Sequence, residues 1–234
     1  PTTAGTGSEV GRAAVVSEDG SHRKAILFHP RLLPAVVLLD PELTIGLPAK
    51  VTAATGMDAL SHLGEAFLVD SFHPMADGVS LEGMGLISKS LLDCVDFANA
   101  GTGATPEHIA ARGLMLTASM MGAVAFQKGL GVTHSCAHAL STVCDLHHGL
   151  ANGIMLPFTF GFNRSACEDK FARMSIAVGA DGSADGFFRW LDGLRAQIGI
   201  PASLRLAGVG PQHLDDLIAF ALKDSCHLEN PVPV

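Results

Sequence analysis

From Pro48 to about Asp224, apolar residues recur at helical spacing in one segment after another, and this pattern constrains the fold more than any other feature of the sequence. Helices are expected over residues 48–69, 75–98, 106–127, 133–143, 149–162, 168–178, 184–198 and 212–224. Punctuation supports several of them. Thr105 followed by Pro106 gives an N-cap hydroxyl and a proline at the first helical position, where its missing N–H costs nothing. Pro157 lies inside the fifth segment and is expected to kink or end it. Gly208-Val209-Gly210-Pro211 reads as a turn. Residues 1–46 differ. Ala13-Ala14-Val15-Val16, residues 24–28 and Ala35-Val36-Val37-Leu38-Leu39-Asp40 read as short strands, with a turn cluster at Ser17-Glu18-Asp19-Gly20-Ser21. The expected organisation is a mainly α protein with a β-rich segment, residues 1–46, ahead of an all-α domain, residues 47–234.

Composition removes several classes of function. Hydrophobic residues make up 48% of the chain and charged residues 16%, which argues against disorder. The net charge is −8 and there is no run of Lys or Arg, so neither nucleic acid nor an anionic membrane surface is an expected partner. No uninterrupted apolar stretch reaches the ~18 residues of a membrane span. The start has no basic and apolar leader, and no Met. Five cysteines without a CxxC pair suit free thiols in a reducing cytoplasm. Cys136 and Cys144 lie near histidines, but buried free thiols are the expected reading. Asn163-Arg164-Ser165 has the form of a glycosylation acceptor, which carries no meaning in the cytoplasm.

Eleven histidines are unevenly placed. Asp58 and His62 are four apart, hence on one helix face with Cβ atoms about 5–6 Å apart. Such a pair on a helix is common at surfaces. Here Thr52-Ala53-Ala54-Thr55-Gly56-Met57 and Ala59-Leu60 surround it, and a carboxylate buried among small and apolar residues needs a partner. His134, His138, His147 and His148 form a denser group beside apolar sequence, read either as metal or catalytic residues or as satisfied core histidines. Three imidazoles and one carboxylate suit Fe(II) or Zn(II). One Asp with neutral imidazoles leaves net positive charge at the ion, the condition for a Lewis acid that polarises a substrate oxygen.

The sequence resembles the iron-containing (group III) alcohol dehydrogenase family along nearly its whole length. Pro1-Thr2-Thr3-Ala4-Gly5-Thr6-Gly7-Ser8-Glu9-Val10 is similar to the family's threonine-rich cofactor loop, and Leu39-Asp40-Pro41-Glu42-Leu43-Thr44 to the strand end before its helical domain. Thr52–His62, Phe126–His134 and His147-His148-Gly149-Leu150-Ala151-Asn152 resemble the ligand-bearing segments, and Asn230-Pro231-Val232-Pro233-Val234 the tail motif. The resemblance implies a dehydroquinate synthase-like all-helical metal-binding domain, preceded by a β-rich remnant of an α/β nucleotide-binding domain. It implies Asp58, His62, His134 and His148 as ligands of Fe(II), with Zn(II) as the alternative. His138 then lies at the nicotinamide and acts in proton transfer. Thr2, Thr3, Gly5, Thr6 and Lys24 lie along NAD or NADP, and Phe126 and Cys226 line the substrate pocket. The implied reaction passes a hydride between NAD(P) and a small alcohol or aldehyde, in a homodimer or larger homo-oligomer.

The sequence departs from the family in three places. No glycine-rich GGGS-type loop is present, and no final helix follows Val234. The expectation is a fragment that lacks most of the N-terminal nucleotide-binding domain, exposes apolar surface and binds NAD weakly or not at all by itself. His147 stands where relatives often have Pro, either competing for the metal or orienting His148. Two alternatives remain: a zinc-dependent relative on the same fold (glycerol dehydrogenase-like or a hydroxyacid–oxoacid transhydrogenase), or a catalytically silent metal-binding fragment.

Overall fold

The structure is a computed structural model that describes residues 1–17 and 24–234. Two strands, β1 (Ala13–Ser17) and β2 (Lys24–Phe28), pair antiparallel, with Ala13 opposite Phe28 and Val15 opposite Ile26. Most of the expected turn at 17–21, from Glu18 on, lies outside the described residues. The third expected strand, residues 35–40, is extended chain without a ladder partner among the described residues. Its end is taken up instead by a 3-10 turn, Pro41–Thr44, where the Asp40 carboxylate accepts from Glu42 N–H at 3.0 Å. Leu27, Phe28, Leu33, Val36, Leu38 and Leu43 stand exposed along this part of the chain.

Eight helices follow: α1 (Ala49–Leu68), α2 (Pro74–Asn99), α3 (Pro106–Ala125), α4 (Val132–Cys144), α5 (His148–Asn163), α6 (Glu168–Ala177), α7 (Ala184–Gln197) and α8 (Leu214–Ala221). The last is shorter than expected, because Pro211–His213 forms a separate 3-10 turn before it. Thr105 caps α3 as expected, accepting from His108 N–H at 3.3 Å.

The centre of the bundle is α1. Every residue from Gly56 to Leu68 is buried, and α2, α3 and α5 pack round it. A helix buried on all sides needs neighbours all round, and here its polar residues Asp58, His62 and Glu65 are held among them. Glycines at the crossings permit close approach: a Cβ on Gly149 would lie 2.2 Å from the Ala54 carbonyl oxygen. The segment Pro106–Lys128 is long and apolar enough by composition to cross a membrane. Here it packs against α1 and α2, with His108 and Arg112 buried on it.

Pro157 neither ends nor breaks α5. A proline removes the N–H that would bond the carbonyl four residues back. That carbonyl, on Gly153, instead accepts from the Arg195 Nε–H of α7 at 2.8 Å, so the vacancy is filled from a neighbouring helix.

Candidate metal centre

Asp58, His62, His134 and His148 converge from α1, α4 and α5. Asp58 Oδ1 lies 3.9 Å from His62 Nδ1, 3.8 Å from His134 Nε2 and 3.3 Å from His148 Nε2. The Nε2 atoms of His62 and His134 face each other at 3.0 Å. Asp58, His62 and His134 are buried, whereas the His148 side chain is 33% exposed. Ligands bonded at about 2.0–2.2 Å to one ion stand roughly 3–3.5 Å apart; His148 with Asp58 and His62 with His134 stand at that spacing, and the other two pairs a few tenths of an ångström wider.

The donor set fits a divalent cation on two further grounds. His62 Nδ1 is buried with no hydrogen-bond partner, an arrangement that is costly unless the ring is held in another way. Burial also pushes the His62 pKa down to about 3 despite the nearby Asp58 carboxylate, so the ring is neutral and offers a lone pair. Burial would raise the Asp58 pKa, but His62 first, and then His148 and His134, hold it well below the usual carboxylate range.

Residues not singled out in the sequence complete the site. Glu65, seven residues after Asp58 on the same face of α1, accepts from Thr133 N–H at 2.6 Å and meets His134 Nδ1 at 2.5 Å. Burial opposes a charge on His134, but the Glu65 carboxylate outweighs it and raises the imidazole's pKa. The Asn152 amide donates to Asp58 Oδ1 at 2.7 Å and lies 3.2 Å from His148 Nε2. Glu65 and Asn152 were legible as helical-spacing partners of Asp58 and His148. Asp224 was not: it meets His138 Nδ1 at 2.8 Å from 86 residues away. Burial would raise the Asp224 pKa, but the bonds from His138 and from Cys226 N–H bring it well below the carboxylate range.

A cavity of about 400 Å³ opens over these groups, lined in part by Thr6, Phe126, His138 and Asp224. The Phe126 ring packs on His62, and His138 stacks on His148. Cys226 lies beside His138 and Asp224, with potential ligand atoms within 4.8 Å of one another. Asp224 already accepts from Ser135 and Cys226 N–H as well as bonding His138, and burial holds the Cys226 thiol protonated, so these groups form a proton-holding cluster.

The threonine-rich start divides. Thr6 Oγ–H donates to Asp58 Oδ2 at 3.2 Å, and Gly5 sits against Thr55 and Asp58. Thr2 and Thr3 are exposed to solvent. Lys24 begins β2, and its side chain lies outside the described residues. His147 caps α5, where its Nδ1 accepts from Leu150 N–H at 3.4 Å, and it lines a different cavity. All five cysteines are free thiols. Cys94 and Cys167 are buried, while Cys136 and Cys144 are only half-buried and outside the centre. Asn163, in the glycosylation-like tripeptide, is buried and paired with Asn230 by reciprocal amide bonds.

Comparison with known proteins agrees with this geometry. Residues 52–234 match the Fe-containing alcohol dehydrogenase family, C-terminal, and residues 1–41 match iron-containing alcohol dehydrogenase. The chain belongs to the iron-containing alcohol dehydrogenase family. It is 40% identical to a 4-hydroxybutyrate dehydrogenase of Cupriavidus necator, over 99% of this chain and 60% of that protein. The crystal structure of a 1,3-propanediol oxidoreductase superposes with a TM-score of 0.91 at 34% identity, covering 100% of this chain and 61% of that one. A sulfoacetaldehyde reductase from Bifidobacterium kashiwanohense, solved in complex with NAD+, superposes with a TM-score of 0.86 at 28% identity, covering 100% of this chain and 60% of that one. The chain thus spans about 60% of the length of these relatives.

Proposed function

We propose that the protein is a metal-dependent alcohol dehydrogenase that transfers a hydride between NAD(P) and a small alcohol or aldehyde, with Asp58, His62, His134 and His148 as the ligands of one Fe(II) or Zn(II) ion. The observation that carries this reading is that Asp58, His62 and His134 bring one ligand atom each within 4.8 Å of one another beside a solvent-reached cavity, with His148 Nε2 approaching Asp58 from a third helix at 3.3 Å. Bound there, the ion supplies a Lewis acid for the substrate oxygen, and the nicotinamide supplies the hydride acceptor or donor.

The chain's own residues do the rest. Asn152 and Thr6 donate to the two oxygens of Asp58 and fix the carboxylate's orientation. Phe126 walls the cavity and shields His62 from water. His138 commits Nδ1 to Asp224, which leaves Nε2 to exchange the substrate hydroxyl proton, and the ring is exposed enough to pass it to solvent. Thr2, Thr3, Gly5, Thr6 and Lys24 are proposed along the cofactor, and Cys226 beside the substrate, in line with the relative solved with NAD+. The division at residue 47 belongs to the same proposal, supported by the change from hairpin to helices. A cytoplasmic setting is proposed from the free thiols.

Metal analysis of anaerobically prepared protein tests the core of the reading: one ion per chain, lost when each of the four ligands is replaced in turn. 4-Hydroxybutyrate and 1,3-propanediol, named for two relatives, are the substrates to assay first. His138→Ala is expected to lower turnover and flatten the pH–rate profile; an unchanged profile removes His138 from the proton path.

A further inference from the structure

We infer that Glu65 is a positioning residue of the metal centre: its carboxylate fixes the His134 ring in the tautomer that presents Nε2 to the cation, and it supplies the second of two buried negative charges that balance a divalent ion. This rests on the metal-centre reading above. Four observations support it.

Glu65 uses both oxygens. Oε1 accepts from Thr133 N–H at 2.6 Å and Oε2 pairs with His134 Nδ1 at 2.5 Å. Thr133 N–H donates to one oxygen, and an ionised carboxylate accepts at the other as well, which assigns the proton of the second bond to His134 Nδ1. A neutral imidazole protonated at Nδ1 has its lone pair on Nε2, the atom that faces His62 at 3.0 Å and Asp58 at 3.8 Å.

The helix start is built to receive this carboxylate. Gly131, the residue before α4, has no side chain to cap the helix, and Glu65 takes that role at Thr133 N–H while the Asn230 amide oxygen does so at Val132 N–H. A Cβ on Gly131 would lie 2.8 Å from Glu65 Oε1 and 2.8 Å from Asn230 Oδ1, so glycine leaves the room that both acceptors occupy. The positive end of α4 also favours a negative charge there.

Placement on α1 is fixed by spacing. Asp58, His62 and Glu65 stand at i, i+4 and i+7 of one buried helix, so the residue behind His134 moves as one body with two of the proposed ligands.

Charge completes the case. Asp58 alone leaves a divalent ion with a net positive charge in a buried setting, as the sequence suggested. With Glu65 counted, the ion and the two carboxylates sum to zero. An uncompensated buried charge is strongly disfavoured, and Glu65, 3% exposed, removes it without occupying a coordination position.

The test compares the full-length protein with Glu65→Gln, Glu65→Ala and Asp58→Ala, using competition with a chromophoric chelator for Co(II) and Zn(II), together with the visible spectrum of the Co(II) form. Glutamine is close in shape but cannot serve both partners. If its oxygen faces Thr133 N–H, its NH2 donates to His134 Nδ1 and forces the proton onto Nε2. If it turns round, its NH2 meets the Thr133 N–H. In the first orientation the ligand is misset, and an affinity loss of about 10- to 100-fold is expected with an altered Co(II) spectrum; in the second the His134 tautomer is kept but Thr133 N–H loses its acceptor and the metal-free fold is weakened. Melting of the metal-free proteins separates this from loss of fold, since glutamine can keep the helix cap. Should Glu65→Gln destabilise the metal-free fold, the 15N shifts of the His134 ring in Glu65→Ala, which lacks any partner at Nδ1, report the tautomer directly. Wild-type affinity and an unchanged Co(II) spectrum in a Glu65→Gln protein whose metal-free fold is not weakened, or an unaltered His134 tautomer in Glu65→Ala, overturn the inference while leaving the metal centre intact. Failure of the wild-type protein to bind either ion overturns the centre itself, and Glu65's role with it; Asp58→Ala marks how complete loss looks.

Discussion

Replacing Gly149 by alanine tests whether the close crossing of α1 and α5 sets the geometry of the metal centre. The added Cβ would lie 2.2 Å from the Ala54 carbonyl oxygen and 2.7 Å from its carbon, both backbone atoms in the first turns of α1. No side-chain rotation relieves such a contact. The two helices must part by roughly 1 Å to reach an ordinary carbon–oxygen separation. His148 is the next residue on α5 and Asp58 is one turn along α1 from Ala54, so the parting falls on the 3.3 Å separation of Asp58 Oδ1 and His148 Nε2. Metal–ligand bonds tolerate about 0.2 Å. The variant is therefore expected to lose at least about tenfold in metal affinity, the scale of a lost supporting contact. Overpacking of this kind costs about 1–3 kcal/mol. For a chain of this length, that lowers the melting temperature of the metal-free protein by roughly 2–12 °C. Gly161→Ala is the control. It lies on the same helix, is exposed, and would place its Cβ in open space. Alanine in a helix interior is favoured over glycine by about 0.5–1 kcal/mol, so Gly161→Ala should melt slightly higher and bind metal as the wild type does. Calorimetric melting and chelator competition on both variants decide the matter. If Gly149→Ala melts and binds like the wild type, the close approach does not hold His148 in place.

Metal loading is expected to release a proton from His134. Its raised pKa favours the charged ring in the metal-free protein, and Nε2 must be free of a proton before it can coordinate. The stabilisation from that proton is full below the ordinary histidine pKa of about 6.5 and is lost as pH rises through the raised folded-state value. Over that window the metal-free protein should melt lower while metal affinity rises. Titration calorimetry in two buffers of different ionisation heat measures the proton count, and equal heats in both refute the assignment. Arg195→Met should cost about 1–3 kcal/mol by stranding the Gly153 carbonyl, and Pro157→Ala in that background should recover part of the loss, because residue 157 then has an N–H for Gly153. Denaturant melts of the two single variants and the double variant give the coupling, and additive effects would show that Arg195 does not stand in for the missing helical bond.

What could be read from the sequence follows the range of the interaction involved. Helix positions rest on contacts three or four residues apart and on caps such as Thr105-Pro106, so they are legible locally. The 35–40 segment fails as a strand because β-prone residues make a strand only beside a partner, and the described chain offers none there. Of the two outcomes expected at Pro157, a kink or a stop, the stop does not occur, because the freed Gly153 carbonyl is met by an arginine 38 residues beyond the proline. The same division runs through the candidate site. Asp58 with His62, and His134 with His138, announce themselves by four-residue spacing. Glu65 carries that signal as well, since it lies on the stripe that Asp58 and His62 begin, yet its meaning depends on His134, 69 residues away. Asp224 carries no local signal at all.

The consequence is chemical as well as topological. The proposed ligands are written in short-range spacing, but the charge that would surround a bound ion is written in long-range pairs. Counting only the spaced residues leaves a cation with one carboxylate and a net positive charge. Adding the pair between α1 and the start of α4 would make the proposed centre neutral, while the pair of His138 with Asp224 stands apart at the cavity wall. A divalent ion bound in a site of zero net charge would still polarise the oxygen nearest to it, because the Glu65 charge stands behind the His134 imidazole. On the proposed reading, the arrangement would lower the cost of holding a divalent ion in the interior without cancelling the field it presents toward the cavity.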